Sequence, residues 1–353
     1  MFVLLQVGFI KTAMKAMVLE KLVLSLEEGI RPLQLKDLPI PKPGPKEVLL
    51  GVSVCGVCRT ELDEIEGRCP PRLPIILGHQ VIGKVVELGP EVSQLKTGDR
   101  VGVGWIFSSC GKCSYCERGE ENLCEDFKGT GCDADGGYAQ YMIVKEDFAH
   151  PIPETFEDEE AAPLLCAGAI GYRALKLTGM KDGETLGLFG FGASSHIVYQ
   201  VARFLFPNSK IFVFTRKKGD KPALLAQKLG ADWVGETGEN PPEKLDRAID
   251  TTPSGAVIGE ALRVLKGGGR LVINAIRKET PVEKLDYPEH LWLEKEIKSV
   301  ANITRRDIRE FLQIAARIPI KPQVKSFRLE EANEALLALK KGAYEGAGVL
   351  KIR

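Results

Sequence analysis

Cys58, His79 and Cys166 are far apart in the chain, yet their side chains are of the kinds that a zinc site takes from protein when one coordination position stays open. Cys55 lies three residues before Cys58, so on spacing alone a Cys55/Cys58 pair is a rival assignment. For an isolated histidine, a hydrogen-bonded core role is commoner than a ligand role. His79, one of only four histidines, follows Gly78 in a turn between two apolar stretches. The open position of such a site takes an alcohol or carbonyl oxygen. The metal lowers the pKa of a bound hydroxyl or polarises a carbonyl. Thr60, two residues after Cys58, offers a hydroxyl that can pass a proton toward solvent. Its alternative role is that of a helix N-cap with Asp63 three residues on.

A second group has the spacing Cys-x-x-Cys-x-x-Cys and then a fourth cysteine: Cys110, Cys113, Cys116 and Cys124. Four thiolates close a tetrahedron around Zn²⁺ and leave no place for substrate, so this site is expected to fold a loop. Free thiols, disulfides or an iron–sulfur cluster are the competing readings. The chain has nine cysteines, none after Cys166, and no export signal. That combination predicts a reducing cytoplasm, where clustered cysteines mean metal more often than disulfide.

The third feature is Gly190-Phe191-Gly192-Ala193-Ser194-Ser195, which follows an apolar strand at 185–189 and opens a helical stretch. Gly190 permits a tight turn, Gly192 a close approach of a pyrophosphate, and small Ser195 the packing of helix on strand. The free N–H groups of the helix start face the phosphates. The next strand ends in Phe214-Thr215-Arg216-Lys217-Lys218, with no acid before Asp220. An acid there holds a ribose 2′-hydroxyl and a base accommodates a 2′-phosphate, so NADP(H) is preferred over NAD(H). The alternative is an ordinary solvated basic turn.

Two kinds of element must hold these residues. From about 15 to 150 the chain reads as short strands broken by Gly and Pro, among them 47–54, 81–88, 99–103 and 138–144, which predicts a barrel-like β unit. From about 168 to 303 strands and helices alternate, which predicts a parallel sheet covered on both faces. Helices at 305–317 and 330–341 and a strand at 348–352 follow, and this tail is expected to return to the first unit. At 353 residues, two domains are the default. Lys plus Arg and Asp plus Glu balance at 48 each, which argues against a dedicated nucleic-acid or acidic-membrane binder. No apolar run approaches the roughly 18 residues of a bilayer span. Residues 1–13 read as an extension ahead of Met14, the expected natural start.

Taken together, these residues resemble the zinc-dependent medium-chain alcohol dehydrogenase family, and the likeness runs from about Met14 to the end. The resemblance implies an α/β protein: a GroES-like β-barrel catalytic domain at 1–166 and 304–353, and a doubly wound parallel-sheet Rossmann domain at 167–303. It implies catalytic zinc on Cys58, His79 and Cys166, which decides against Cys55, and structural zinc on Cys110, Cys113, Cys116 and Cys124. It implies Thr60 as proton relay, Arg59 at the pyrophosphate, Glu61 as an acid beside the metal and Trp105 in the substrate pocket. Ala193, Ser194, Thr215, Arg216 and Lys217 join Gly190, Gly192 and Ser195 as cofactor contacts. The chain departs from the family pattern in four places. Gln80 replaces a glutamate after the ligand histidine, Asp63 a relay histidine, Ile170 a threonine against the nicotinamide, and Ala347 a phosphate-binding arginine. The expected activity is an NADP(H)-linked alcohol dehydrogenase or aldehyde reductase with two zinc ions per chain, acting as a homodimer or homotetramer. A zinc-free quinone or enone reductase, or an NADP-binding redox sensor keeping only structural zinc, are the alternatives.

Overall fold

The protein is described as a computed structural model covering residues 12–318 and 320–353. The N-terminal extension therefore lies, up to residue 11, outside the described residues.

The long strand Glu47–Val57 is the spine of the first half. It pairs antiparallel with Val81–Leu88, Tyr141–Lys145 and Ala347–Lys351, in a seven-stranded sheet that also takes in Arg100–Val103, Ala149–Pro151 and Val324–Arg328. The C-terminal strand thus returns to the first half, Leu350 lying opposite Cys55. A three-stranded sheet of Leu33–Pro39, Ala13–Leu19 and Ile75–Ile76 packs against it. Alternation puts Val48, Leu50 and Val52 into one apolar core with Leu19, Ile65, Leu77 and Val144, and a register shift between Val52 and Val54 brings Cys55 to the same core. Val54 points the other way, into a second core shared with Leu164, Leu165, Phe311 and Val349. A single strand thereby fastens the β half to the helical half. The strand expected at 138–144 begins only at Tyr141, because Tyr138 and Ala139 turn to bond Leu77 and Ala16 instead.

The second half is a six-stranded, wholly parallel sheet in the order Trp233–Glu236, Lys210–Thr215, Thr185–Phe189, Leu245–Asp250, Leu265–Ile273, Glu296–Ser299. The order reverses direction at Thr185–Phe189, so the crevice at its carboxyl end is the ligand position of such a sheet. The five residues of that strand are all buried, as a strand covered on both faces requires. Phe189 stacks on Phe214 with ring centroids 4.1 Å apart, and burying rings of this size contributes about 2 kcal/mol each.

Candidate metal centre and adjoining cleft

Strand Glu47–Val57 runs directly into helix Arg59–Ile65, and Cys58 is the hinge between them. It is the helix N-cap, with extended φ and ψ of −126° and 164°. Thr60 therefore lies inside the helix and is not its N-cap, the alternative weighed for it. Glu61 completes the cap by accepting from the Cys58 backbone N–H at 2.8 Å. His79 follows Gly78, whose φ of +98° only glycine takes readily and where a Cβ would strike the Tyr138 ring. Cys166 is carried on an expanded turn, Leu164–Gly168, directly after helix Asp158–Pro163. Pro163 has no N–H to give the preceding turn, and the irregular winding that follows sets Cys166 on the cleft wall.

These three elements bring the Cys58 and Cys166 sulfurs and a His79 ring nitrogen within 4.8 Å of one another. Cys55 is fully buried on the opposite face of the spine, in the apolar core, and takes no part in the group. His79 Nδ1 is 2.8 Å from Glu61 Oε1, and neither of these buried atoms has any other polar partner. The neighbouring Cys166 thiol draws the Cys58 thiol well below its ordinary pKa, with His79 adding to the effect and burial opposing it. Cys166 is correspondingly pushed well up, by Cys58 first and then by burial. Burial opposes a charged His79, yet Glu61 and Cys58 together raise its pKa well above the usual value. A buried set of two thiols and an imidazole, backed by an acid, fits a divalent zinc ion by its donor chemistry.

Cys110, Cys113, Cys116 and Cys124 also converge within 4.8 Å. Backbone N–H groups of Lys112 and Cys113 donate to Cys110 and draw its thiol down to about 7. The lobe is tied to the rest of the protein through Glu121, which accepts from Arg305 N at 2.8 Å and Nε at 3.0 Å.

A cleft of about 1100 Å³ opens beside the first metal group. Of the expected cofactor contacts, Arg59, Gly190, Gly192, Ala193, Ser194, Thr215 and Arg216 line it, together with Cys58, Thr60 and Cys166. Ser195 does not: it is buried and pairs with Thr251 Oγ1 at 2.9 Å, the helix-on-strand packing role. Lys217 is exposed beside the cleft without lining it. Gly190 has φ +81°, and a Cβ there would meet Thr251 Oγ1 at 2.9 Å. A Cβ on Gly192 would meet nothing within 4 Å, so its bare backbone faces open space of the sort a pyrophosphate needs. Trp105 stands edge-on to His79, 5.0 Å between ring centroids, but is not among the residues lining the cleft.

Sequence reasoning missed the segment after strand Leu265–Ile273. Asn274, Ala275, Ile276, Arg277 and Glu279 all line the cleft, and Asn274 Nδ2 reaches Ser194 Oγ at 3.3 Å. The available signal was positional: each parallel strand delivers its carboxyl-end loop to the crevice.

Comparison with known proteins agrees with this geometry. Residues 44–154 match the family described as "Alcohol dehydrogenase GroES-like domain". The chain is 43% identical over 327 residues to "Probable alcohol dehydrogenase AdhA" of Mycobacterium tuberculosis, covering 91% of this chain and 93% of that one. It is 37% identical over 339 residues to an "Alcohol dehydrogenase" of Geobacillus stearothermophilus, covering 93% and 98%. Among solved structures, that of AibC superposes with a TM-score of 0.87 at 28% identity, covering 97% of each chain.

Proposed function

This chain belongs to the zinc-dependent medium-chain alcohol dehydrogenase family, and from that premise we propose that it interconverts primary or secondary alcohols with their carbonyl partners using NADP(H) in preference to NAD(H). The observation that carries the reading is the convergence of Cys58, His79 and Cys166, whose two cysteines line the same cleft as Gly190 and Gly192. Bound zinc supplies Lewis acidity toward the substrate oxygen, and bound nicotinamide supplies or takes the hydride. The protein's own residues do the rest. Cys58, His79 and Cys166 hold the metal, and Glu61 orients His79. The Thr60 hydroxyl, 3.6 Å from Cys58 Sγ and facing the cleft, relays the alcohol proton by taking it up while passing its own proton to water in the cleft, and runs in reverse for reduction. Val57, Ile170, Phe191 and Ile276 give the cleft apolar walls that keep water from the reacting carbons.

The NADP(H) preference rests on Arg216. It lines the cleft at the end of strand Lys210–Thr215 and has no acidic partner among the described residues. Nearby acids are already engaged: Asp220 accepts from Ala223 N at 2.8 Å, and Lys218 takes Glu239 at 2.5 Å and, through its N–H, Glu236 at 3.0 Å. A free guanidinium there suits a 2′-phosphate. We read residues 1–166 with 304–353 as the catalytic domain and 167–303 as the nucleotide domain. The chain is a homo-oligomer in this reading. Edge strand Glu296–Ser299 is exposed, and Tyr287, Trp292, Leu293 and Ile297 expose apolar surface around it, an arrangement suited to a second copy. Its place is a reducing cytoplasm, given nine free cysteines; no helix among the described residues is long and apolar enough to cross a membrane.

Metal analysis with a panel of primary, secondary and aromatic alcohols tests the proposal. Two zinc ions per chain and NADP⁺-dependent oxidation support it. Cys58→Ser should abolish turnover while NADPH still binds, and full activity in that variant refutes the mechanism. One zinc per chain favours the redox-sensor or zinc-free reductase alternatives.

A further inference from the structure

We propose that Asp63 and Arg277 are positioning residues that tie the two walls of the cleft together over the nicotinamide end of the bound nucleotide. The inference rests on the nucleotide reading of the cleft. Asp63 lies on helix Arg59–Ile65, the element that presents Cys58 and Thr60, whereas Arg277 follows strand Leu265–Ile273 of the parallel sheet. Arg277 Nε is 3.3 Å from both Asp63 oxygens, and both residues line the cleft. The Asp63 side chain is only 7% exposed and Arg277 37%, so water and salt screen this pair less than an ordinary surface bridge. Arg68 Nε holds the same carboxylate at 2.5 Å from its own helix end, leaving Asp63 aimed at the opposite wall.

The other anchor is equally fixed. Asn274 N donates to Asp250 O at 2.8 Å, Lys278 Nζ binds Asp250 Oδ2 at 2.5 Å and Thr252 O at 2.8 Å, and Glu279 N donates to Pro253 O at 2.7 Å. Ile276 and Arg277 therefore form an apex between two pinned points. Ile276 is 65% exposed, with its apolar side chain at the cleft rather than in a core. The tie holds that side chain over the reacting end, where it excludes water. Outside the cleft, between the neighbours of lining residues Asp220 and Gly346, Lys221 and Glu345 also pair at 2.6 Å, but their side chains are 83% and 64% exposed and contribute little. A nucleotide held between the two walls is freed as they part, and parting breaks the Asp63–Arg277 pair.

Stopped-flow fluorescence of NADPH release from the zinc-loaded full chain tests this. Arg277→Gln and Asp63→Asn are expected to release NADPH about fivefold faster, the effect of one partly buried ion pair. With an alcohol deuterated at the carbinol carbon, the isotope effect on kcat should rise in these variants as release stops limiting turnover. Arg277→Lys should restore most of the slow release, and Lys221→Gln should stay within about twofold of the parent. Added salt should speed release more in the parent than in Arg277→Gln, because the Arg216 contact with the nucleotide is screened in both proteins. Unchanged or slower release in both Arg277→Gln and Asp63→Asn overturns the tie. A parent protein that binds neither NADPH nor NADH overturns the nucleotide reading instead.

Discussion

Glu61 Oε1 lies 2.8 Å from His79 Nδ1, and both residues are almost wholly buried. Glu61 also caps the helix through the Cys58 N–H, so one carboxylate serves two of the three metal-binding residues at once. It is the carboxylate beside His79 in a site where Gln80, the next residue, carries only an amide.

Replacing Glu61 by Gln keeps a cap acceptor and removes the carboxylate from beside His79. Zinc affinity at the Cys58–His79–Cys166 group should fall about 10- to 100-fold, while the four-cysteine group keeps its ion. Competition with a graded series of chelators, followed by metal counting, measures both sites in one titration. Equal loss from the two groups contradicts the assigned role.

Arg216→Ala should lower kcat/KM for NADPH about tenfold, the worth of a charge-assisted contact, and leave NADH nearly unchanged. Lys217→Ala should have the smaller effect because Lys217 does not line the cleft. A parallel fall with both nucleotides means that Arg216 acts through folding.

Cys113→Ser should cut zinc from two ions per chain to one and lower the melting temperature. NADPH binding should persist, because Gly190, Gly192 and Arg216 lie in the other half of the fold. The lobe is anchored chiefly through Glu121 to Arg305 and Asn122 to Ala301, so its loosening should expose the start of helix Arg305–Ala315 to hydrogen exchange first.

Residues whose role is set by local chemistry were legible in the sequence. The four-cysteine spacing, the Gly190–Ser195 turn and the strand–helix alternation each carry their signal within a short window. The Cys58–His79–Cys166 group needed the family resemblance to displace Cys55, because period-2 alternation alone does not say which face of Glu47–Val57 meets the cleft. Trp105 was placed in a substrate pocket by likeness, yet it packs on His79 away from the lining. Arg277 and Asp63 stand 214 positions apart, and no local pattern announces their contact. The same holds for Glu64, a fully buried carboxylate with neither oxygen paired, which sits on the inner face of a helix that sequence periodicity did not mark.

His150 offers a test that is independent of the metal chemistry. It is buried in strand Ala149–Pro151, where burial first, and then Arg309 and Arg305, hold its pKa down to about 3. The unfolded chain takes up a proton on this residue near pH 6.5, and the folded protein does not until far lower pH. Between those values the unfolded state binds more protons, so stability rises with pH across the window and is lost as pH falls from about 6.5 toward 3. The full shift corresponds to about 5 kcal/mol at its acid end. Metal ligands also protonate as pH falls, and both proteins share that loss. Thermal melts of the parent and of His150→Gln, at pH 7.5 and pH 5 with zinc in excess, isolate the histidine. The variant should start lower at pH 7.5, because it replaces a well-buried ring, and lose distinctly less on acidification. Identical pH slopes for the two proteins show that His150 takes up its proton in the folded state as readily as in the unfolded one.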